Sequence, residues 1–399
     1  MTLDVGRVRA AFPALDLGVA HFDGPGGSQV PHVVADAVAR TLVSGISNRG
    51  AVTDAERRAD DAVLGARGAV ADLLGADPGG VVFGRSMTQI TYDVARALAT
   101  TWAPGDEVVV TRLDHDANIR PWVRAAEIAG ATLRWAPFDR TTGELDPQEV
   151  AALVGERTRL VAVTGASNLL GTRPDVAAVS AAAHAAGALV YVDGVHLTPH
   201  APVDVAALGA DFFVCSPYKF FGPHLGALVA DPALLARVHP DKLLPSTDAV
   251  PERFELGTLP YELLAGVTAT VDFIADLVPG AGSRRTRVLA SMAAVEEHED
   301  RLFDRLAAGL RGLDRVTMHG SPARHTPTVL FSVDGLASRE VAEKLGAAGV
   351  NAPAGSFYAL EASRWVGLGD TGAVRAGLAP YTDSGDVDRL LAGVAELSG

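Results

Sequence analysis

Cysteine is almost missing from this chain: Cys215 is the only one in 399 residues. A single thiol cannot close an internal disulfide, and no Cys/His spacing resembles a zinc finger, so a secreted disulfide framework and a structural zinc site are both excluded. A reducing, cytoplasmic setting is expected. Basic residues are also short, 34 Lys plus Arg against 48 Asp plus Glu, for a net charge of −14 with no local basic stripe. Counterion release from a phosphate backbone needs clustered Lys and Arg, so no nucleic-acid partner is expected. No segment approaches the ~18 consecutive apolar residues of a membrane span. The first residues, MTLDVGRVRAAFPALDLG, carry acids and a proline where a signal peptide has its apolar region. No membrane partner is expected either. What remains is an ordinary globular composition, 48% hydrophobic and 21% charged, on a chain long enough for two or three domain-sized units.

Short apolar runs recur between longer alanine-rich stretches: VVFG (81–84), EVVVT (107–111), ATLRWAPF (131–138), TRLVAVTGA (158–166), ALVYVDG (188–194), DFFVCS (211–216) and GALVAD (226–231). They are apolar all round rather than alternating, which suits strands buried on both faces and joined by helical crossovers. A doubly wound α/β domain with a mostly parallel seven-stranded sheet is expected over 19–282. Beyond LVPGAGSRR the pattern changes to a long helical stretch followed by TPTVLFSV, SREVAEKLGAAGV and AVRAGLAPY. Residues 283–399, with 1–18, are expected to form a small α+β domain.

Three segments carry chemistry. In SPYKFFGPHLG (216–226), Lys219 follows an apolar run and sits among Tyr218, Phe220 and Phe221. A lysine stripped of hydration loses its proton more readily and becomes an amine nucleophile. Its structural alternative is a snorkelling lysine at a strand end. In VDGVH (192–196), Asp193 closes a buried strand, where open α/β sheets place ligand-binding groups; the alternative is a turn or N-cap aspartate. In GRSMTQIT (84–91), the start of a helix with Ser86 and Thr88 makes a phosphate cradle or simply a capped helix.

Together with FDGPGG (22–27), TRLDHDAN, ASNLLGT and VRAGLAPYTDSGDVDRLL, these segments resemble, in order and over nearly the whole chain, the class V aminotransferase and cysteine desulfurase-like branch of the fold-type I pyridoxal phosphate enzymes. The resemblance implies a homodimer with shared active sites, pyridoxal 5'-phosphate as cofactor and a small amino acid as substrate. It implies that Lys219 carries the cofactor as a Schiff base and moves protons. Asp193 would pair with the pyridine nitrogen, His115 would stack on the ring, and Asn168 and His196 would approach its phenolic oxygen. Thr88, the Met87 amide, Ser216 and Tyr218 would hold the phosphate, completed by Thr258 from the other subunit. Arg375 would take the substrate carboxylate in a bidentate geometry that lysine cannot replace. His21, Arg49 and Tyr358 would flank the substrate.

Departures narrow the chemistry. Desulfurases of this kind carry a sulfur-accepting cysteine on a loop before the terminal arginine; here that stretch is NAPAGSFYALEA, with Ser356, Phe357 and Tyr358 and no thiol. Cys215 falls on a buried strand, where packing is its simplest role. His196 and His200 are spaced i, i+4, but Pro199 is expected to keep them off one helical face, and no metal site is expected. The leading expectation is β-eliminating C–S lyase chemistry without a persulfide cysteine. Transamination or epimerisation is the alternative, and a silent scaffold relative is the non-enzymatic rival.

Overall fold

The computed structural model describes residues 2–399. Its centre is a seven-stranded sheet. In chain order after the short β1 (Ala20–His21), its strands are β2 (Val81–Gly84), β3 (Glu107–Thr111), β4 (Thr132–Ala136), β5 (Thr158–Thr164), β6 (Leu189–Asp193), β7 (Phe212–Cys215) and β8 (Gly226–Ala230). The spatial order is β2-β8-β7-β6-β5-β3-β4, with β8 antiparallel to both neighbours and the other pairs parallel. This is the fold-type I architecture read from the sequence.

The apolar runs form strands because both faces are covered. Val109, Val161, Val163, Val192, Phe213 and Cys215 enter one core, packed by the helices Asp54–Leu74 and Tyr261–Ala275. The alternate residues Val108, Val110, Ala162, Tyr191 and Val214 enter a second core, under the helices Met87–Ala99 and Arg120–Ala129. Period-two alternation therefore distributes apolar side chains to both sides rather than to one. The exception is β4, expected to be buried like the rest. It lies at the sheet edge, so Thr132 is exposed and Arg134 is free to pair with Glu107 at 2.9 Å.

The C-terminal part is a four-stranded sheet of β9 (Val316–Met318), β10 (Thr328–Val333), β12 (Ala354–Gly355) and β13 (Ala373–Gly377), with β11 (Val350–Asn351) pairing separately with β1. Leu3, Val8 and Phe12 join the first large-sheet core, whereas Ala20 and Phe22 enter the core of β10 and β13. The helix Arg284–Arg311 spans both, with Val288, Met292 and Val295 in one core and Leu302, Leu306 and Leu310 in the other.

One buried ion-pair network ties the segment after β8 to the sheet. Arg67 donates to Glu252 at 2.6 Å and to Glu255 at 2.7 Å, and Glu255 also accepts from the Phe83 amide at 3.0 Å. Removing one member of such a group strands a buried charge. Arg67→Ala is therefore expected to destabilise the protein by ~3–5 kcal/mol, read as a lower urea midpoint against wild type.

Candidate active site

The parallel strands all end on the same side, and that edge carries the site. His115 follows β3, Asn168 follows β5, Asp193 is the last residue of β6, and Lys219 lies one turn beyond β7. Register places Asp193 beside Thr164 of β5 and Val214 of β7. A cavity of about 480 Å³ is lined there by Thr88, His115, Asn168, Tyr218, Lys219, Tyr358 and Arg375, among others. It continues into a pocket of about 60 Å³ that adds Met87, Asp193, His196 and Ser216.

Lys219 reaches the DGPGG turn, where its Nζ donates to the Pro25 carbonyl. That turn is held over the lysine by Gly26 N to Asp23 O (2.8 Å) and Ser28 N to Tyr218 O (3.0 Å). The Lys219 ammonium is lowered to about 7, first by burial and then by the Arg375 cation, with Asp193 opposing. The buried Asp193 carboxyl is raised to about 6 by loss of solvent, opposed by the Val195 amide at 2.9 Å and by Lys219. It is therefore an anion at neutral pH, suited to hold a cationic ring nitrogen. His115 is lowered to about 4, first by burial and then by Lys219 and Arg375. Its Nδ1 accepts from the Ala117 amide at 3.0 Å, so the ring is neutral with the proton on Nε2, a flat uncharged surface. His196 is buried and held well below its usual value by burial and by His200; its Nε2 lies 3.0 Å from Thr328 Oγ1.

At the start of the helix Met87–Ala99, Ser86 caps the Gln89 amide at 3.1 Å, while the Met87 and Thr88 amides precede any intrahelical acceptor. Gly226 lets this turn lie against β8: a Cβ there would stand 2.4 Å from the Met87 nitrogen. Open amides, the Thr88 and Ser216 hydroxyls and the positive end of the helix dipole form an anion cradle. Asn168 Oδ1 is buried without a partner, a polar atom waiting for a ligand. These features fit a phosphorylated aromatic aldehyde: an amine to bind it, an anion for its ring nitrogen and donors for its phosphate. Arg375, buried and lowered to about 9 by desolvation with Asp23 opposing, remains a cation at neutral pH.

Three of the expected residues do not line this cavity within one chain. Thr258 is exposed on a separate groove with Arg85, Gln89 and His224. Arg49 is bound to Asp60 (2.7 Å) and Glu252 (3.0 Å), so within its own chain it does not join the cavity. His21 shares its Nδ1 with Asp23 (3.4 Å) and Gln29 (3.2 Å), outside the lining. The two histidines split by Pro199 do meet, with rings 5.1 Å apart, because the turns at 194–200 fold back. His200 then bonds Glu299 at 2.9 Å. Among the described residues no cluster could hold a metal ion.

Some contributors were missed from sequence. Asp114 accepts from Thr111 and from Asn118 (2.7 Å), and Asn118 accepts from Trp122 Nε1 (3.0 Å), bracing the turn that carries His115. The i, i+4, i+8 spacing of these residues in DHDANIRPW was the available signal. Tyr92, Asp116 and Arg120 also line the cavity.

The family model "Aminotransferase class-V" matches residues 20–390. The chain is 39% identical to the uncharacterized protein MT3887 of Mycobacterium tuberculosis (strain CDC 1551 / Oshkosh), over 100% of both chains. It is 33% identical to a probable cysteine desulfurase of Pseudomonas aeruginosa, covering 96% of this chain and 95% of that one. Among solved structures it is similar to the cysteine desulfurase CsdA of Escherichia coli, with a TM-score of 0.87 and 26% identity over 99% and 98% of the two chains. No described helix is long and apolar enough to cross a membrane.

The lowered Lys219 gives a pH test. In the cofactor-free protein, the neutral amine attacks aldehydes and predominates only above its pKa. Capture of an added aldehyde, followed by absorbance, should accelerate with rising pH through a midpoint near 7; a midpoint near 10 would mark an ordinary exposed lysine. Gly226→Ala should weaken retention of a phosphorylated aldehyde more than of its unphosphorylated form, measured by dialysis.

Proposed function

Because the chain belongs to the class V aminotransferase family of pyridoxal-phosphate-dependent enzymes, we propose that it is a cytoplasmic homodimer acting as a β-eliminating lyase on a cysteine-like amino acid. Pyridoxal phosphate, when bound, supplies the carbonyl that links to amino groups and the ring that withdraws electrons from Cα. Lys219 would anchor it through its amine and would hold and move the proton at Cα of the substrate. Asp193 keeps the ring nitrogen charged, His115 covers the ring, and Asn168 donates to its oxygen. The cradle of Met87 N, Thr88 and Ser216 holds the phosphate, with Thr258 contributed by the second subunit. Arg375 fixes the substrate carboxylate, which orients the bond to be broken against the ring.

The observation that carries the lyase reading is the placement of thiol. Cys215 is buried in β7, and burial pushes its pKa up to about 12, so it supplies no thiolate. The cavity wall facing Arg375 carries Phe357 and Tyr358. With no protein sulfur to attack the substrate's sulfur, the Cβ–S bond breaks by elimination: the Cα proton goes to Lys219, the Cα–H electron pair becomes the Cα–Cβ π bond, and the Cβ–S pair leaves with sulfur. The thiol or sulfide leaves and takes up a proton, and the released enamine tautomerises to an imine that one solvent water hydrolyses to ammonia and a keto acid.

Product analysis by mass spectrometry, with sulfur-containing and ordinary L-amino acids and no added keto acid, tests this. Catalytic release of thiol or sulfide, ammonia and keto acid is expected, with the cofactor returned unchanged. Stoichiometric pyridoxamine phosphate with a matching keto acid would establish transamination instead. Lys219→Ala should lower turnover by at least about a thousandfold, the scale for loss of a positioned proton-transfer group.

A further inference from the structure

The strap between β12 and the helix Leu360–Trp365 has an unusual backbone. Phe357 and Tyr358 occupy the left-handed region one after the other, at φ +52° and +58°. Aromatic residues rarely adopt it, and a chain needing only a tight turn would place Gly or Asn there. The conformation is pinned by two main-chain acceptors: the Phe357 carbonyl receives Asn168 Nδ2 at 2.9 Å, and the Tyr358 carbonyl receives the Asp116 amide at 2.7 Å. The turn sets the Phe357 ring on the guanidinium of Arg375, with the ring centroid 3.7 Å from Cζ. Arg375 Nη1 is already spent on the Asn168 carbonyl at 2.8 Å, while its Nε is buried without a partner. One face of the cation is roofed, one amine is tied, and Nε is left buried and unpaired.

We propose that Phe357 is a positioning residue for the substrate carboxylate: its ring fixes the plane of Arg375 so that the Nε edge faces the ligand, and its carbonyl holds Asn168 in the same arrangement. This rests on the reading of Arg375 as the carboxylate site. A cation held against an aromatic face keeps one orientation and is shielded from water, which strengthens a bidentate pair at its edge. The strained turn is what lets an aromatic side chain reach that position.

The test uses cofactor-loaded protein and 3-(methylthio)propionate, a carboxylate without an amino group to react, with affinity measured by calorimetry. Phe357→Ala should weaken binding about tenfold, while Phe357→Tyr, which keeps the ring face, should stay within about twofold. Phe357→Leu keeps bulk without the ring and should behave like Phe357→Ala; it also serves if the alanine variant folds poorly. In an Arg375→Lys background, itself at least about tenfold weaker, Phe357→Ala should add less than about twofold, because the ring acts through the guanidinium. Wild-type affinity in both Phe357→Ala and Phe357→Leu, or an equal loss in both backgrounds, would overturn the proposal while leaving the carboxylate site intact. Unchanged binding by Arg375→Lys, or no binding by wild type, would overturn the carboxylate site and the proposal with it.

Discussion

Loss of solvent at the carboxyl edge of the sheet is the constraint on which the site depends. Parallel strands buried on both faces must end together, and the residues that follow β3, β5, β6 and β7 are delivered into one hollow that water barely reaches. The same cause then acts in opposite senses according to charge type. It lowers Lys219 and His115, which lose a positive charge, and raises Asp193, which gains neutrality. Their mutual attraction partly restores the Lys219 and Asp193 charges, leaving both near neutrality. A lysine poised between amine and ammonium and a carboxyl that is mostly ionised are what binding an aldehyde and holding a cationic ring require.

Such a hollow needs polar groups behind it, and burial makes each of them expensive unless paired. Asp114 is raised to about 8, chiefly by burial, while the hydrogen bonds it accepts from Thr111 and Asn118 oppose the shift. His200 falls to about 3 and Glu299 lies well above its usual range, both chiefly through burial. The two meet at His200 Nδ1 and Glu299 Oε2, 2.9 Å apart, and both shifts run toward the uncharged forms. Hydrogen bonds of this kind fix the side chains behind the site.

The large sheet was legible because its strands are apolar on both faces, a pattern no surface helix shares. The strand order and the burial of β4 were not, since Thr132 and Arg134 mark an edge only once the neighbours are known. Lys219, Asp193, His115 and Asn168 were visible as motifs at strand ends, each within a few residues of an apolar run. Arg49 pairs with Glu252, 203 positions away; no local spacing reports such a pairing. His196 and His200 were separated on paper by Pro199, yet consecutive turns bring their rings together without a helix. The role of Phe357 was hidden for a sharper reason: its backbone conformation contradicts its residue type, so local preference pointed away from the structure.

Cys215 shows how the fold separates adjacency in sequence from adjacency in chemistry. It stands four residues before Lys219, but it is the last residue of β7, pairs with Ala227 of β8 and turns into the same core as Phe213. Lys219 has left the strand through the Ser216–Pro217 turn, and its Nζ donates to the Pro25 carbonyl. The strand must stay apolar to its end for the sheet to pack, and the turn must follow at once for the amine to reach the cavity. A thiol at that position is therefore fixed in the core by the same requirement that presents the lysine.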